Sequence, residues 1–293
     1  MVVRRAWPST STSFSHRSVI LFIRVCGVPL FTRSPLSKTI MSDIWSPMMP
    51  AIVTASFATG YVATLGSANS FGRLTWGIAS DKLGRKNTYS IFALGLPVMA
   101  CTPYLITTSM ESSALGDPSV VPLGLFVGGS VLAIVNYGGI FTVLPAYIAD
   151  MYGSKYSNAI HGSALTAWSA ASVAGPMGLA VLRTKAETEA IDELMVGIDA
   201  DKFETHFGAG LDQAPALIES KTITINRLLE ICGEGVLDPT PHLYDNTFYV
   251  AAGFMGVAAV CNQLLKPPDI NELLKSVEKV EVVVDVEGRE KKL

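Results

Sequence analysis

Five stretches of the chain are long and apolar enough to read as membrane-crossing helices: about residues 51–80, 88–108, 121–149, 156–182 and 246–265. A crossing helix needs roughly 20 mostly apolar residues. The second and fifth stretches are the cleanest, whereas Asn69 and Arg73 interrupt the first and Asn136 and Tyr137 the third. All five are rich in Gly, Ala, Ser and Thr, which let helices approach closely where lipid supplies no hydrophobic drive. Pro97, Pro103, Pro145 and Pro176 fall inside them. Proline is tolerated there when neighbouring helices re-satisfy the freed carbonyls. The pattern predicts an all-α, polytopic membrane helix bundle of about five crowded, kinked spans.

The polar stretches divide the rest. Residues 41–182 hold the first four spans, 183–245 a polar insert, 246–266 the last span and 267–293 a charged tail. The insert carries 13 acidic and 5 basic side chains, a net of −8. Leu194, Ile198, Phe203 and Phe207 recur at helical spacing, as do Leu217, Ile218, Ile225, Leu228, Leu229 and Cys232, with a stop at Gly233 and Gly235. The expectation is a small helical subdomain outside the membrane, packed on its own apolar stripes, with a solvated acidic loop as the alternative. The first forty residues hold Arg4, Arg5, Arg17, Arg24, Arg33 and Lys38, seven serines and no acid. Three readings of this disordered, transit-like start stay open: an organellar transit peptide, a signal anchor, or sequence that is not native coding, with Met41 as the start or an interior residue.

Composition sharpens the membrane reading. Of 293 residues 49% are hydrophobic and 16% charged, where a soluble domain carries about 25%. Residues 51–182 contain nine formal charges: Arg73, Asp81, Lys82, Arg85, Lys86, Glu111, Asp117, Asp150 and Lys155. A water-soluble body of that length needs far more to cover its outside. Cys26, Cys101, Cys232 and Cys261 show no paired spacing, so neither a zinc site nor a disulfide framework is indicated. No nucleophile elbow, HExxH or phosphate loop occurs, so an enzyme, a metal and a cofactor are not expected. A net charge of −3 argues against nucleic acid as a partner.

Lys and Arg in short loops set orientation. The connection 81–87 carries Lys82, Arg85 and Lys86 and is expected in the cytoplasm; 107–120 has no cation and is expected outside; 151–157 returns inside with Lys155. The C-terminal tail is then cytoplasmic. The plasma membrane is the default location, an organellar membrane the alternative, and the lipid bilayer the first partner.

The loop from Gly77 to Lys86, Gly-Ile-Ala-Ser-Asp-Lys-Leu-Gly-Arg-Lys, matches G-x-x-x-D-[RK]-x-G-[RK]-[RK] at every defined position. Gly77 and Gly84 suit a tight hairpin between two helices. Asp81 at the membrane edge suits a helix N-terminus or a nearby arginine, and Lys82, Arg85 and Lys86 hold the loop inside. Asp150 closes the third span, with Arg85 as its natural partner. This motif resembles the signature of the major facilitator superfamily. Asn69 to Arg73, Tyr137 to Gly139, Pro145 to Asp150, Thr166 to Trp168 and Gly175-Pro176 resemble the C-terminal half of its oxalate/formate antiporter-like and monocarboxylate transporters. The resemblance runs over about 43–182 and 244–265 and implies helices eight to twelve of a twelve-helix fold. Helix seven and the N-terminal half have no counterpart here.

Arg73 is the most informative residue, four positions after Asn69 and so on the same helix face. A cation at membrane depth costs about 2.5–3.5 kcal/mol and marks an ion or substrate path. The resemblance implies that Arg73 faces a central cavity and pairs with a small carboxylate anion; the alternatives are snorkelling or pairing with Asp150. Asn69, Asn136, Tyr137 and Trp168 are candidate cavity liners, with helix packing as the alternative. Where oxalate-transporting members carry a lysine, this chain has Trp168. One fixed cation suits a monocarboxylate, because the second charge of a dicarboxylate would stay unpaired. His161 is the candidate proton-coupling group, with a structural role as the alternative. Gly124 and Gly128 form a GxxxG step expected to serve close packing. The overall expectation is a facilitator-type transporter of a small monocarboxylate working by alternating access. Without a missing N-terminal half or a second membrane polypeptide it is not expected to transport alone. The alternative is a non-transporting truncated membrane protein, or an assembly or regulatory partner acting through its acidic insert.

Overall fold

The computed structural model describes residues 34–152, 154–233 and 236–264. The basic segment through Arg33, Gly235 and the charged tail lie outside the described residues, as does the side chain of Lys155. Among the described residues there is no strand. The helices are α1 (Ser34–Trp45), α2 (Ala55–Leu83), α3 (Arg85–Phe92), α4 (Gly95–Ala114), α5 (Val121–Tyr152), α6 (Ser154–Val196), α7 (Ala200–Phe207), α8 (Ala214–Glu219), α9 (Ile225–Leu229) and α10 (Asp245–Leu264). Two 3₁₀ turns, Leu211–Gln213 and Thr240–Tyr244, complete them. The last residues of the basic segment therefore belong to α1.

Among the described residues, four stretches are long and apolar enough to cross a membrane: Arg85–Ala114, Val121–Met151, Ser157–Val196 and Thr240–Leu264. The expected first span is one continuous 29-residue helix, α2, but it falls short in apolarity. Ser56, Thr59, Thr64, Ser67, Asn69, Ser70, Arg73 and Thr75 dilute its leucines and aromatics. Its hydroxyls bond back to the helix: Thr59 Oγ1 donates to the Ala55 carbonyl at 2.8 Å, Thr64 to Gly60 at 2.9 Å, Ser67 to Ala63 at 3.1 Å and Ser70 to Gly66 at 3.2 Å. Such back-bonding keeps a polar helix satisfied without water.

The ends of α2 follow from single residues. Thr54 caps its start, accepting from the Phe57 N–H at 3.3 Å. Gly84 ends it with φ 84° and leads directly into α3, a left-handed conformation that glycine adopts without steric cost. Gly77, expected to share in the hairpin, is helical instead, and a Cβ there would meet Thr142 Cγ2 at 3.1 Å. The second span is broken between Phe92 and Gly95, with short i→i−3 bonds from Leu94 to Ile91 and from Leu96 to Ala93. Pro97 supplies the reason: it has no N–H for the Ala93 carbonyl, so it fits only the first turn of a new helix.

The most extensive helix contact joins α2 to α5. A Cβ at Gly72 would overlap the Val135 carbonyl, and one at Gly138 would overlap the Asn69 backbone. A Cβ at Gly139 would run into Trp76 Cδ1 at 2.5 Å and Phe92 Cζ at 2.8 Å. Backbones meet here without intervening side chains. Gly124 and Gly128 behave differently, because a Cβ at either would meet nothing within 4 Å. The expected packing of the GxxxG step is therefore not made among the described residues.

The fourth span does not stop at Leu182. Residues 183–196 are helix formers with no glycine or proline before Gly197, and α6 runs through them. The insert then folds back, its α7 capped by Asp199 and closed by Gly208 at φ 70°. It does not rest on its own stripes alone. Phe203 and Leu228 are fully buried in one continuous apolar cluster with Ile40, Met41, Ile44 and Trp45 of α1, and with Tyr244 and Phe248 at the start of the last span. Apolar side chains of this size gain more by joining the neighbouring core than by covering one another.

Gly72→Val forces the α2–α5 backbones apart and is expected to lower stability by about 1–3 kcal/mol. Gly60→Ala adds a methyl where nothing lies within 4 Å and is expected to stay within about 0.5 kcal/mol of the parent. Unfolding of both variants in bicelles checks the contrast.

Candidate functional site

The close approach of α2 and α5 sets the register of the residues above it. Thr142 Oγ1 on α5 donates to the Arg73 carbonyl at 3.0 Å. Arg73 lies ten residues before Leu83, about 15 Å back along the helix at 1.5 Å per residue. Its guanidinium carbon stands 4.8 Å from the centroid of the Phe141 ring. Phe141 in turn meets Trp168 of α6 edge-on at 4.9 Å and Tyr137 at 5.0 Å. Three helices thus contribute to one cationic, aromatic cluster, with Arg73 exposed at its surface. A cation over an aromatic face gains about 0.5–1 kcal/mol at exposed sites and about 2 when desolvated. That contact orients the guanidinium while leaving its N–H donors for another partner. Among the described residues, no acidic side chain pairs with Arg73.

The structure sorts the other sequence-derived residues. Tyr137 is buried at the base of the aromatic row, and Trp168, 38% exposed, stands at its edge. Asn69 sits in the α2–α5 seam beside Gly138, with its Oδ1 buried and without a hydrogen-bond partner. Asn136, 2% exposed, is buried with neither amide atom partnered. His161 lies two turns before Trp168 on the same face of α6, and its Nδ1 is shielded and unpartnered. Phe141 was not singled out from the sequence. The signal available for it was its position four residues after Tyr137, which places the two rings one above the other.

The motif loop forms a second constellation at the far end of α2. Arg85 Nη2 meets Asp81 Oδ1 at 2.5 Å and its Nε meets Asp150 Oδ2 at 3.2 Å, while Nη1 donates to Ser80 Oγ. One forked guanidinium therefore joins the end of α2, the start of α3 and the end of α5. Asp150 is engaged by Arg85, not by Arg73. Lys86 Nζ donates to the Gln263 carbonyl at 3.0 Å, and Asn262 Nδ2 donates back to the Lys86 carbonyl at 3.1 Å. A cation at the last carbonyls of α10 is favoured by the helix dipole. Lys82 is exposed beside Gly84. The arrangement is structural: it fastens four helix ends and holds no group poised for bond making.

Comparison with known proteins adds to this geometry. Over 108 residues, 36% of the chain, it is 31% identical to an oxalate:formate antiporter of Oxalobacter formigenes, covering 23% of that protein. Over 113 residues, 38% of the chain, it is 30% identical to the probable transporter MCH1 of Saccharomyces cerevisiae, covering 22% of it. The chain thus spans less than a quarter of the length of each of these curated relatives. No family model matches the chain, and no solved structure does. Among the described residues, four helices are long and apolar enough to cross a membrane, which with the likeness to parts of two proteins named as transporters supports a multi-pass membrane protein.

Proposed function

We propose that this chain supplies the anion-binding wall of a transporter of the major facilitator type, and that the anion is a small monocarboxylate such as formate, lactate or pyruvate. The observation that carries the reading is the Arg73 guanidinium laid on Phe141, with Trp168 and Tyr137 around the ring and no described carboxylate on its donors. A planar guanidinium grips a carboxylate through two parallel hydrogen bonds. The name of one relative joins a dicarboxylate and a monocarboxylate; here an aromatic residue, Trp168, stands against the Phe141 ring that carries the Arg73 guanidinium. A second negative charge would find no counter-charge in low dielectric. Asn69 and His161, with their unpartnered atoms, are the groups nearest in the sequence pattern for a substrate contact and for proton coupling.

Facilitators bind between two halves and rock one against the other. The first part of α2 exposes Ser56, Thr59, Gly60, Ala63, Ser67 and Ser70, a small and polar surface poorly suited to lipid, before Phe71, Leu74 and Ile78 are exposed nearer its end. That polar surface supports a second membrane body facing this wall. By the distribution of cations, the motif loop and the C-terminus face the cytoplasm, with the plasma membrane as the location.

Arg73→Gln is expected to weaken lactate or formate binding to the bilayer-reconstituted chain about tenfold to a hundredfold, the loss of about 1.5–3 kcal/mol for a hydrogen bond to a charged group. Oxalate is expected to bind more weakly than lactate or pyruvate, and tighter oxalate binding contradicts the monocarboxylate reading. Liposomes holding this chain alone are expected to take up no labelled monocarboxylate. Uptake abolished by Arg73→Gln would show that the wall works without a second half.

A further inference from the structure

Helix α6 has 43 residues and so extends about 65 Å, against a hydrocarbon core of about 30 Å. About half of it therefore projects beyond the membrane, on the side opposite the motif loop. Within the membrane it is lightly packed: Leu165, Val173, Met177 and Val181 are all exposed, whereas Leu179 is buried. Its side-chain anchors there include Leu179, 5% exposed in the main apolar cluster, and the edge contact of Trp168 with Phe141. The projecting part is held much more firmly. Ile191, Ile198, Phe203 and Leu228 of the helix end and the insert are buried in the same cluster as α1.

A polar knot lies at the point where the loose and the held parts meet. Arg183 Nε donates to Tyr244 Oη at 3.1 Å, and Tyr244 Oη donates to Asp43 Oδ2 at 2.8 Å. Arg183 Nη2 also lies 3.5 Å from Asp43 Oδ2, and Nη1 lies 3.2 Å from Glu187 Oε2. The Tyr244 ring is 1% exposed and sits 5.8 Å from the guanidinium carbon. One arginine thus fastens α6 to α1 and to the turn that begins the last span. A forked guanidinium does this with fixed geometry, where a point charge would not.

We propose that the insert is a buttress that sets the tilt of α6, that Arg183 is its clamp, and that Arg183 is thereby a positioning residue for Trp168. Loss of the clamp frees the lightly packed membrane part of α6 while leaving the α2–α5 pair, closed by Gly72 and Gly138, as it was. This inference stands on the packing of α6 and does not need the anion reading.

The test is hydrogen exchange of the whole chain in lipid nanodiscs. Arg183→Gln, Asp43→Asn and the milder Tyr244→Phe, which keeps the ring and removes only the hydroxyl, are expected to speed amide exchange in residues 157–182 several-fold. Exchange in α2 and α5 is expected to stay at the parent rate. The double variant Arg183→Gln/Asp43→Asn is expected to exchange no faster than the single ones, since both remove one coupled unit. Parent-like exchange of α6 in all three single variants overturns the proposal. So does an equal rise in α2, α5 and α6, which would make the knot a support of the bundle at large.

Discussion

At Gly72 and Gly138 the backbones of α2 and α5 come so close that no side chain fits between them. In lipid, apolar side chains gain nothing by leaving one another for their neighbours, so close backbone contact and interhelical hydrogen bonds must hold helices together. This seam does both, because just above it Thr142 donates to the Arg73 carbonyl. The same register brings Arg73 over Phe141. Moving α5 by one residue would turn Phe141 about 100° away, leaving the cation with neither ring nor carboxylate.

Three arginines mark three levels of the bundle. At the loop end, Arg85 is taken up by Asp81 and Asp150. At the other end, Arg183 is taken up by Asp43, Glu187 and Tyr244. Arg73, between them, has an aromatic face and no described acid. Arg73 is exposed in this chain, and its guanidinium donors are open to an anion that comes to it from outside. Arg227 of the insert also lies over a ring, Phe207, but its Nη1 is spent on the Thr222 carbonyl, and it lies outside the candidate spans, so it is the place of Arg73 along α2 that supports the carboxylate reading.

The sequence made the apolar helices legible because their patterns are one-body properties: length, hydropathy and the run between turn residues. Gly84 was readable for the same reason, since a single glycine between two helical runs needs no partner to explain it. What was not readable depends on pairs of helices. Gly77 looked like a turn residue until Thr142 was found beside it. Gly124 and Gly128 looked like packing residues and have no packing partner among the described residues. Phe141 carries no charge and no motif, so its place under Arg73 emerges only once α2 and α5 are set in register. The insert was read as self-contained because sequence periodicity shows which face is apolar but not what covers it. Its stripes continue into α1 and the last span.

The central claim is that the Arg73 guanidinium receives a carboxylate. The most direct test is a dipolar-recoupling measurement between carbon-13 formate and nitrogen-15 arginine in the bilayer-embedded chain. The account predicts one formate-dependent arginine contact, assigned to Arg73, that disappears in Arg73→Gln while the Arg85 and Arg183 signals persist. A formate contact that survives Arg73→Gln, or one assigned to Arg85 or Arg183, would contradict it.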